Sequence, residues 1–272
     1  MSELQQPVRE GRRQGAAAGG GAPGAAAFRL DNRTHLDRAG YRASFIEYGD
    51  GLAETSFGFS STPIVGKGIR GQSENREANE DRAVRRARKL LRQKVLASGA
   101  DHLLTLTYRD NVTEFARAST DLTVFIRCVR RRFERYPYVA VAERQKRGAW
   151  HWHLAVCGWQ DLKFLRATWR RVVGDGNIDV KAPRTSDSAG PRIGIVRYLC
   201  KYLGKSFGED GAFNARRFRS SRIKVPERRQ MLPVKSASAA RQFCENWLRE
   251  TSPDSWRFTF NETWSTGWGR TW

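Results

Sequence analysis

Between residues 102 and 205 the spacing of apolar positions switches repeatedly between a period of two and a period near 3.6. His102–Tyr108 (HLLTLTY) is rich in β-formers and reads as a strand. Leu122, Phe125, Ile126, Val129 and Phe133 then recur at helical spacing. Residues 138–143 (YVAVAE) and 150–156 (WHWHLAV) read as two strands joined by a turn at Arg147-Gly148, which makes a β-hairpin. Residues 162–173 read as a helix, 177–181 as a strand after the turn Gly174-Asp175-Gly176, and 196–205 as a helix ending near Gly208. Strand, helix, strand, strand, helix, strand is the split βαβ order. The expected fold class is therefore α+β: an antiparallel sheet with split βαβ (ferredoxin/RRM-like) topology and helices packed on one face.

The flanks are less regular. Residues 74–98 predict a helix whose stripe is Val84, Ala87, Leu90, Leu91 and Val95, with Gly99 as its stop. Arg82, Arg85, Arg86, Arg88, Lys89, Arg92 and Lys94 fill its other faces, which suits a phosphate backbone and equally a solvated surface over a core. Residues 28–73 are weakly patterned, and only short strands or loops are expected there. Residues 15–27 are almost entirely Gly and Ala, so 1–27 reads as a disordered leader. Beyond Gly208 the chain is basic and then tryptophan-rich, with Trp247, Trp256, Trp264, Trp268 and Trp272. Such rings can stack on bases, but closing a core is the commoner role. The expected organisation is a leader (1–27), an N-terminal extension (28–73), a principal domain (74–225) and a tryptophan-rich extension (226–272).

Composition narrows the partner. Hydrophobic residues make up 39% of the 272, enough for a packed core, yet the formal net charge is +21. That exceeds what solubility requires and points to a polyanion. With no lipid anchor and no apolar run long enough to span a bilayer, nucleic acid is favoured over membrane. Cys128, Cys157, Cys200 and Cys244 form no CxxC pair, which argues against a zinc site or a disulfide framework and fits reduced cytoplasmic thiols.

The chemistry centres on His151-Trp152-His153. On a strand, residues two apart share a face, so two of the chain's four histidines stand side by side as a metal clamp. Glu143 ends the preceding strand, where the hairpin brings it near the pair as a third ligand; pairing with Arg144 or Lys146 is the alternative. Two imidazoles and a carboxylate leave positions open for water and phosphate oxygens. Tyr198 and Tyr202, four apart on a helix, share a face. Leu199 and Leu203 already supply an apolar stripe beside them, and the surrounding segment is basic. A phenol with a pKa near 10 is a poor nucleophile, which a divalent metal and nearby Lys201 would improve.

These residues resemble a known family. His151-Trp152-His153 resembles the HUH motif, in which a bulky apolar residue separates two histidines. Residues 143–153 are similar to the acid-plus-HUH segment of rolling-circle replication initiators. Tyr198-Leu199-Cys200-Lys201-Tyr202 resembles their third motif, in the two-tyrosine form of initiators from single-stranded DNA phages. Leu104-Thr105-Leu106-Thr107-Tyr108 resembles their first motif, a strand of unassigned chemical role. The motifs occur in the family's order and span residues 83–225.

The resemblance implies a DNA-nicking and strand-transfer enzyme. His151, His153 and Glu143 would bind Mg²⁺ or Mn²⁺ against a phosphate of single-stranded or melted origin DNA. Tyr198 or Tyr202 would attack, giving a 5′-phosphotyrosine link and a 3′-hydroxyl that primes a host polymerase; the other tyrosine would later release and circularise the displaced strand. Lys201 would assist. Arg85, Arg86, Arg88, Lys89, Arg197, Lys205, Arg216 and Arg217 are the candidate DNA contacts. No GxxxxGK[ST] loop is present, so a separate helicase is expected, and the setting is a bacterial cytoplasm. A relaxase or transposase would share this chemistry. A non-catalytic DNA- or RNA-binding protein would share the charge but needs neither the histidine pair nor the tyrosine pair.

Overall fold

The computed structural model describes residues 40–49, 52–60, 76–182, 191–209, 218–230, 234, 236–251, 262–265 and 268–271. The chain runs β1 (Gly40–Gly49), β2 (Leu52–Ser60), α1 (Arg76–Ser98), β3 (His102–Tyr108), α2 (Phe115–Arg132), β4 (Tyr138–Arg144), β5 (Trp150–Val156) and α3 (Leu162–Val173). It continues through β6 (Gly176–Lys181), α4 (Pro191–Glu209), β7 (Arg219–Ser220), β8 (Arg229–Gln230), α5 (Ala237–Thr251), β9 (Glu262–Ser265) and β10 (Trp268–Thr271).

The alternation of β3 makes it an inner strand of an antiparallel sheet ordered β6-β3-β5-β4-β7. The first four strands of that order, with α2 and α3, are the split βαβ unit that the pattern predicts. Its two helices lie on one face, where Leu122, Phe125 and Val129 of α2 and Leu165 and Trp169 of α3 cover Leu104, Leu106, Trp152, Leu154 and Ile178. The indole of Trp169 packs edge-on against both Tyr108 and Phe125.

The opposite face is covered by two helices outside that unit. Leu91, Val95 and Leu96 of α1 and Ile195, Val196, Leu199 and Leu203 of α4 pack on Leu103, Val139, Val141 and Ala155. Both faces of β5 are thus covered, and all seven of its residues are buried. The stripe expected on α1 needs one change: Leu90 is exposed, whereas Gln93 is buried.

Two regions depart from expectation. Residues 28–73 hold a long hairpin, β1–β2, rather than short strands or loops. Ala43 and Phe45 alternate inward and meet Cys244 and Trp247 of α5, with Phe45 and Trp247 ring centroids 4.7 Å apart. Trp247 thus closes a core, the commoner role. Glu54 of β2 ties this hairpin to α1 by accepting from Arg92 Nε and Nη2 at 3.1 and 2.6 Å and from the Tyr48 hydroxyl at 3.1 Å. Helix α2 also starts at Phe115 rather than Leu122, because Ala118 and Ser119 are buried beneath the sheet. The leader 1–27, Trp256 and Trp272 lie outside the described residues, as do the side chains of Trp264 and Trp268 in the β9–β10 hairpin. The four cysteines are free thiols, and no helix among the described residues is long and apolar enough to cross a membrane.

Candidate active site

The histidine pair sits on the sheet's central strand, in a register fixed by the β4–β5 turn. Gln145 and Gly148 close that turn: Gln145 N donates to Ala149 O at 2.9 Å and Gly148 N to Gln145 O at 2.8 Å. Gly148 has φ +90°, a conformation that glycine adopts without the cost a side chain would add. Trp152, between the histidines, points to the opposite face and donates its indole N–H to Ala118 O at 3.0 Å. That anchor holds the strand's alternation and turns both imidazoles toward α4.

Cross-strand partners share a face, so the register defines rows across the sheet. One row is Lys181, Leu103, Ala155 and Val139; the next is Asp179, Thr105, His153 and Val141; the third is Asn177, Thr107, His151 and Glu143. Asn177 and Asp179, on the edge strand β6, are exposed.

His153 is 3% exposed. Its Nε2 lies 2.8 Å from Glu143 Oε2 and its Nδ1 3.2 Å from Thr105 Oγ1. A carboxylate only accepts, so Nε2 carries the proton and Nδ1 accepts from the threonine hydroxyl. Burial lowers the pKa of this imidazole, partly offset by Glu143. His151 is also buried, and its Nε2 has no hydrogen-bond partner among the described residues. Burial, with His153 alongside, lowers the His151 pKa to about 4. Both rings are thus neutral at physiological pH, the form that binds metals.

Helix α4 brings the tyrosines to the same place. Leu199 and Leu203 are fully buried in the core, and the two half-buried phenols flank that stripe. Tyr202 stacks on His153 with centroids 4.5 Å apart and planes 25° apart, while Tyr198 meets the same imidazole edge-on at 5.2 Å. The two phenols are 4.7 Å apart. Burial raises the pKa of Tyr198, helped by a hydrogen bond with Tyr202 and by the negative charges of Glu143 and Asp179.

Glu143, His151, His153, Tyr198 and Tyr202 are therefore one cluster. Lys201 is exposed, with its ammonium 5.9 Å from the Tyr202 ring centroid. Arg197 is exposed on the same helix, whereas the side chain of Lys205 and the whole of Arg216 and Arg217 lie outside the described residues. On α1, Arg85 and Arg86 are exposed and Arg88 and Lys89 half-buried. The sequence reading missed Thr105, Asn177 and Asp179. Thr105 had a signal, being the polar member of an alternating strand that ends up beside the histidines.

Among the described residues, no three His, Cys, Asp or Glu side chains form a ready-made cation site. The cause is local: the Glu143–His153 pair is closed by its own hydrogen bond. The donor set still suits a divalent ion. Adjacent ligands of an octahedral ion at about 2.0–2.1 Å lie about 2.8–3.0 Å apart, and the Nε2–Oε2 separation is 2.8 Å. The orphaned Nε2 of His151 supplies a further donor.

Sheet, histidine row and tyrosine helix together place the protein in the class of split-βαβ proteins with a polar site on the central strand. More narrowly, residues 101–207 match the replication-associated protein family named for ORF2 and the gene 2 protein. The chain is similar to that family over this segment, which runs from the loop before β3 into α4 and holds the whole cluster. No curated protein and no solved structure matches the chain.

Proposed function

We propose that this protein nicks and rejoins single-stranded DNA to start rolling-circle replication, with Tyr198 and Tyr202 as nucleophiles. The observation that carries the reading is the packing of both phenols on one buried imidazole, His153, which is itself paired with Glu143. An aromatic pair serving only the core needs no histidine–carboxylate pair beneath it.

His151, His153 and Glu143 are the residues that would hold Mg²⁺ or Mn²⁺. When bound, such an ion supplies polarisation of the scissile phosphate and positive charge beside the phenols. The chain's own residues do the rest. Thr105 fixes the His153 tautomer, and Trp152 fixes the strand. One tyrosine oxygen bonds to phosphorus as the bond to the 3′-oxygen breaks. The phenolic proton ends on the 3′-hydroxyl, and the 5′-phosphate stays on tyrosine. The second tyrosine reverses the exchange on the regenerated site. A separate helicase and a host polymerase would complete replication.

The test uses labelled single-stranded oligonucleotides tiling the DNA that encodes the protein, incubated with Mn²⁺ and resolved on a denaturing gel. A covalent adduct is expected, lost in the His151→Ala/His153→Ala double variant. Either Tyr198→Phe or Tyr202→Phe alone should retain a single cleavage but lose the full cycle of release and joining. If one substitution abolishes all cleavage and the other is silent, the protein uses one tyrosine, as a transposase would. Absence of any adduct leaves a DNA-binding protein without this chemistry.

A further inference from the structure

On the face opposite the histidines, a cleft of about 430 Å³ opens between α2 and the β4–β7 edge. Arg127, Arg130, Arg131 and Arg219 line it over Leu122 and Tyr138. We propose that this cleft is a second DNA site, in which converging guanidinium groups grip backbone phosphates of a DNA segment other than the one at the histidines.

Three observations support it. First, none of the four arginines has a carboxylate partner among the described residues: Arg219 donates to the hydroxyls of Thr123 and Ser119, and Arg130 lies over the Tyr138 ring at 5.7 Å. Elsewhere the chain does pair arginines, as with Arg92–Glu54 and Arg132–Asp161. Second, the grouping is assembled by the fold. A helix C-terminus favours cations, which accounts for basic residues in the last turn of α2, Arg130 to Arg132. It does not account for Arg127, a turn earlier, or for Arg219, which arrives on β7 by pairing with Ala140 and so faces α2. Third, the donors suit the ligand. A guanidinium offers a planar fork that matches phosphate oxygens, and the hydroxyl contacts of Arg219 hold one fork in place.

The inference rests on reading the protein as DNA-binding, but not on nicking. Its test is therefore binding, with DNA of arbitrary sequence. Affinities are measured by fluorescence anisotropy between about 50 and 200 mM salt for two probes. One is a thymidine homopolymer about 30 nucleotides long, the other a mixed-sequence duplex of about 30 base pairs, each contacting several phosphates. Arg127 and Arg131 are exposed and lie four apart on α2, so Arg127→Ala/Arg131→Ala should leave the unfolding midpoint unchanged. The control, Lys163→Ala/Arg171→Ala, removes the same charge from exposed positions on α3.

The cleft variant should lose about tenfold in affinity, and its salt slope should flatten by about 2, one per lost phosphate contact, with the control changing much less. The probe that shows the loss identifies the bound form, single strand or duplex. Equal losses in cleft and control variants, or no loss with either probe, overturn the proposal. A second variant, Arg127→Glu, changes one exposed side chain and should weaken binding more than Lys163→Glu does. Arginine-dependent binding without any adduct would sink the nicking reading alone. An adduct with arginine-independent binding would sink the cleft alone.

Discussion

Replacing Thr105 with valine removes one hydroxyl from the sheet and leaves the side chain's shape almost unchanged. That hydroxyl is the partner of His153 Nδ1, at 3.2 Å, and its loss leaves a buried acceptor unpaired beneath two phenols. An unsatisfied buried polar group costs about 1–3 kcal/mol. The imidazole has one ready escape, which is to change tautomer or turn. Either move spoils the Nε2 contact with Glu143. Outer-shell partners of metal-ligating histidines typically contribute about 10- to 100-fold in affinity or activity, equivalent to about 1.4–2.7 kcal/mol.

The expected outcome for Thr105→Val is therefore a Mn²⁺ dissociation constant raised at least tenfold in calorimetric titration, with a slower adduct rate at fixed Mn²⁺. Thr105→Ser keeps the hydroxyl and should restore most of both. Thermal unfolding in EDTA separates positioning from folding: a loss of stability by about 1 kcal/mol would be common to any lost hydrogen bond, whereas the metal affinity would not move for a merely structural contact. Thr105→Val binding Mn²⁺ within twofold of the parent, or Thr105→Ser doing no better than valine, refutes the reasoning.

Two further substitutions probe the same sheet. His151→Val deletes a buried imidazole whose Nε2 has no partner among the described residues, so in EDTA the unfolding midpoint should hold or rise while adduct formation is lost; a midpoint several degrees lower would make His151 a structural residue. Gly176→Ala would place a Cβ 2.6 Å from Thr107 O and 2.7 Å from Trp169 Nε1, breaking the 3.0 Å indole bond to that carbonyl. It should destabilise by about 1–3 kcal/mol, lowering the midpoint by several degrees, and an unchanged midpoint would mean that β6 shifts freely against β3.

The split βαβ unit was legible because its strands and helices keep their own periods: Leu104, Leu106 and Tyr108 alternate, and Leu165 and Trp169 are four apart. In β5 the same strict period assigned the tryptophans to one face and the histidines to the other. What escaped was decided by tertiary packing. The β1–β2 hairpin carries few apolar residues, and its inward pair Ala43 and Phe45 gains meaning only when α5 supplies Cys244 and Trp247 from about 200 residues later. A pairing signal was present in Asp50-Gly51, a dipeptide favoured in tight hairpins. Thr105 and Asp179 escaped for a different reason: each is ordinary in its own strand and acquires a role only through register with His153.

That register also explains why the site lies where it does. Along one face of the sheet the rows change from Leu103, Ala155 and Val139 through Thr105, His153 and Val141 to Thr107, His151 and Glu143. Successive rows are two residues apart, about 7 Å, so the face passes from core to polar site within about 14 Å. The leucines of α4 seal the apolar end, and its tyrosines fall on the middle row. Burial there keeps both imidazoles neutral and keeps Tyr198 protonated, which makes the phenol inert until positive charge arrives beside it. A site deeper in the core would exclude the phosphate, and one further out would lose the desolvation that gates the nucleophile. Exposed Asn177 and Asp179 at the β6 edge mark the side from which a strand can enter. The same packing that stabilises the sheet thus sets the reactivity of the residues at its boundary.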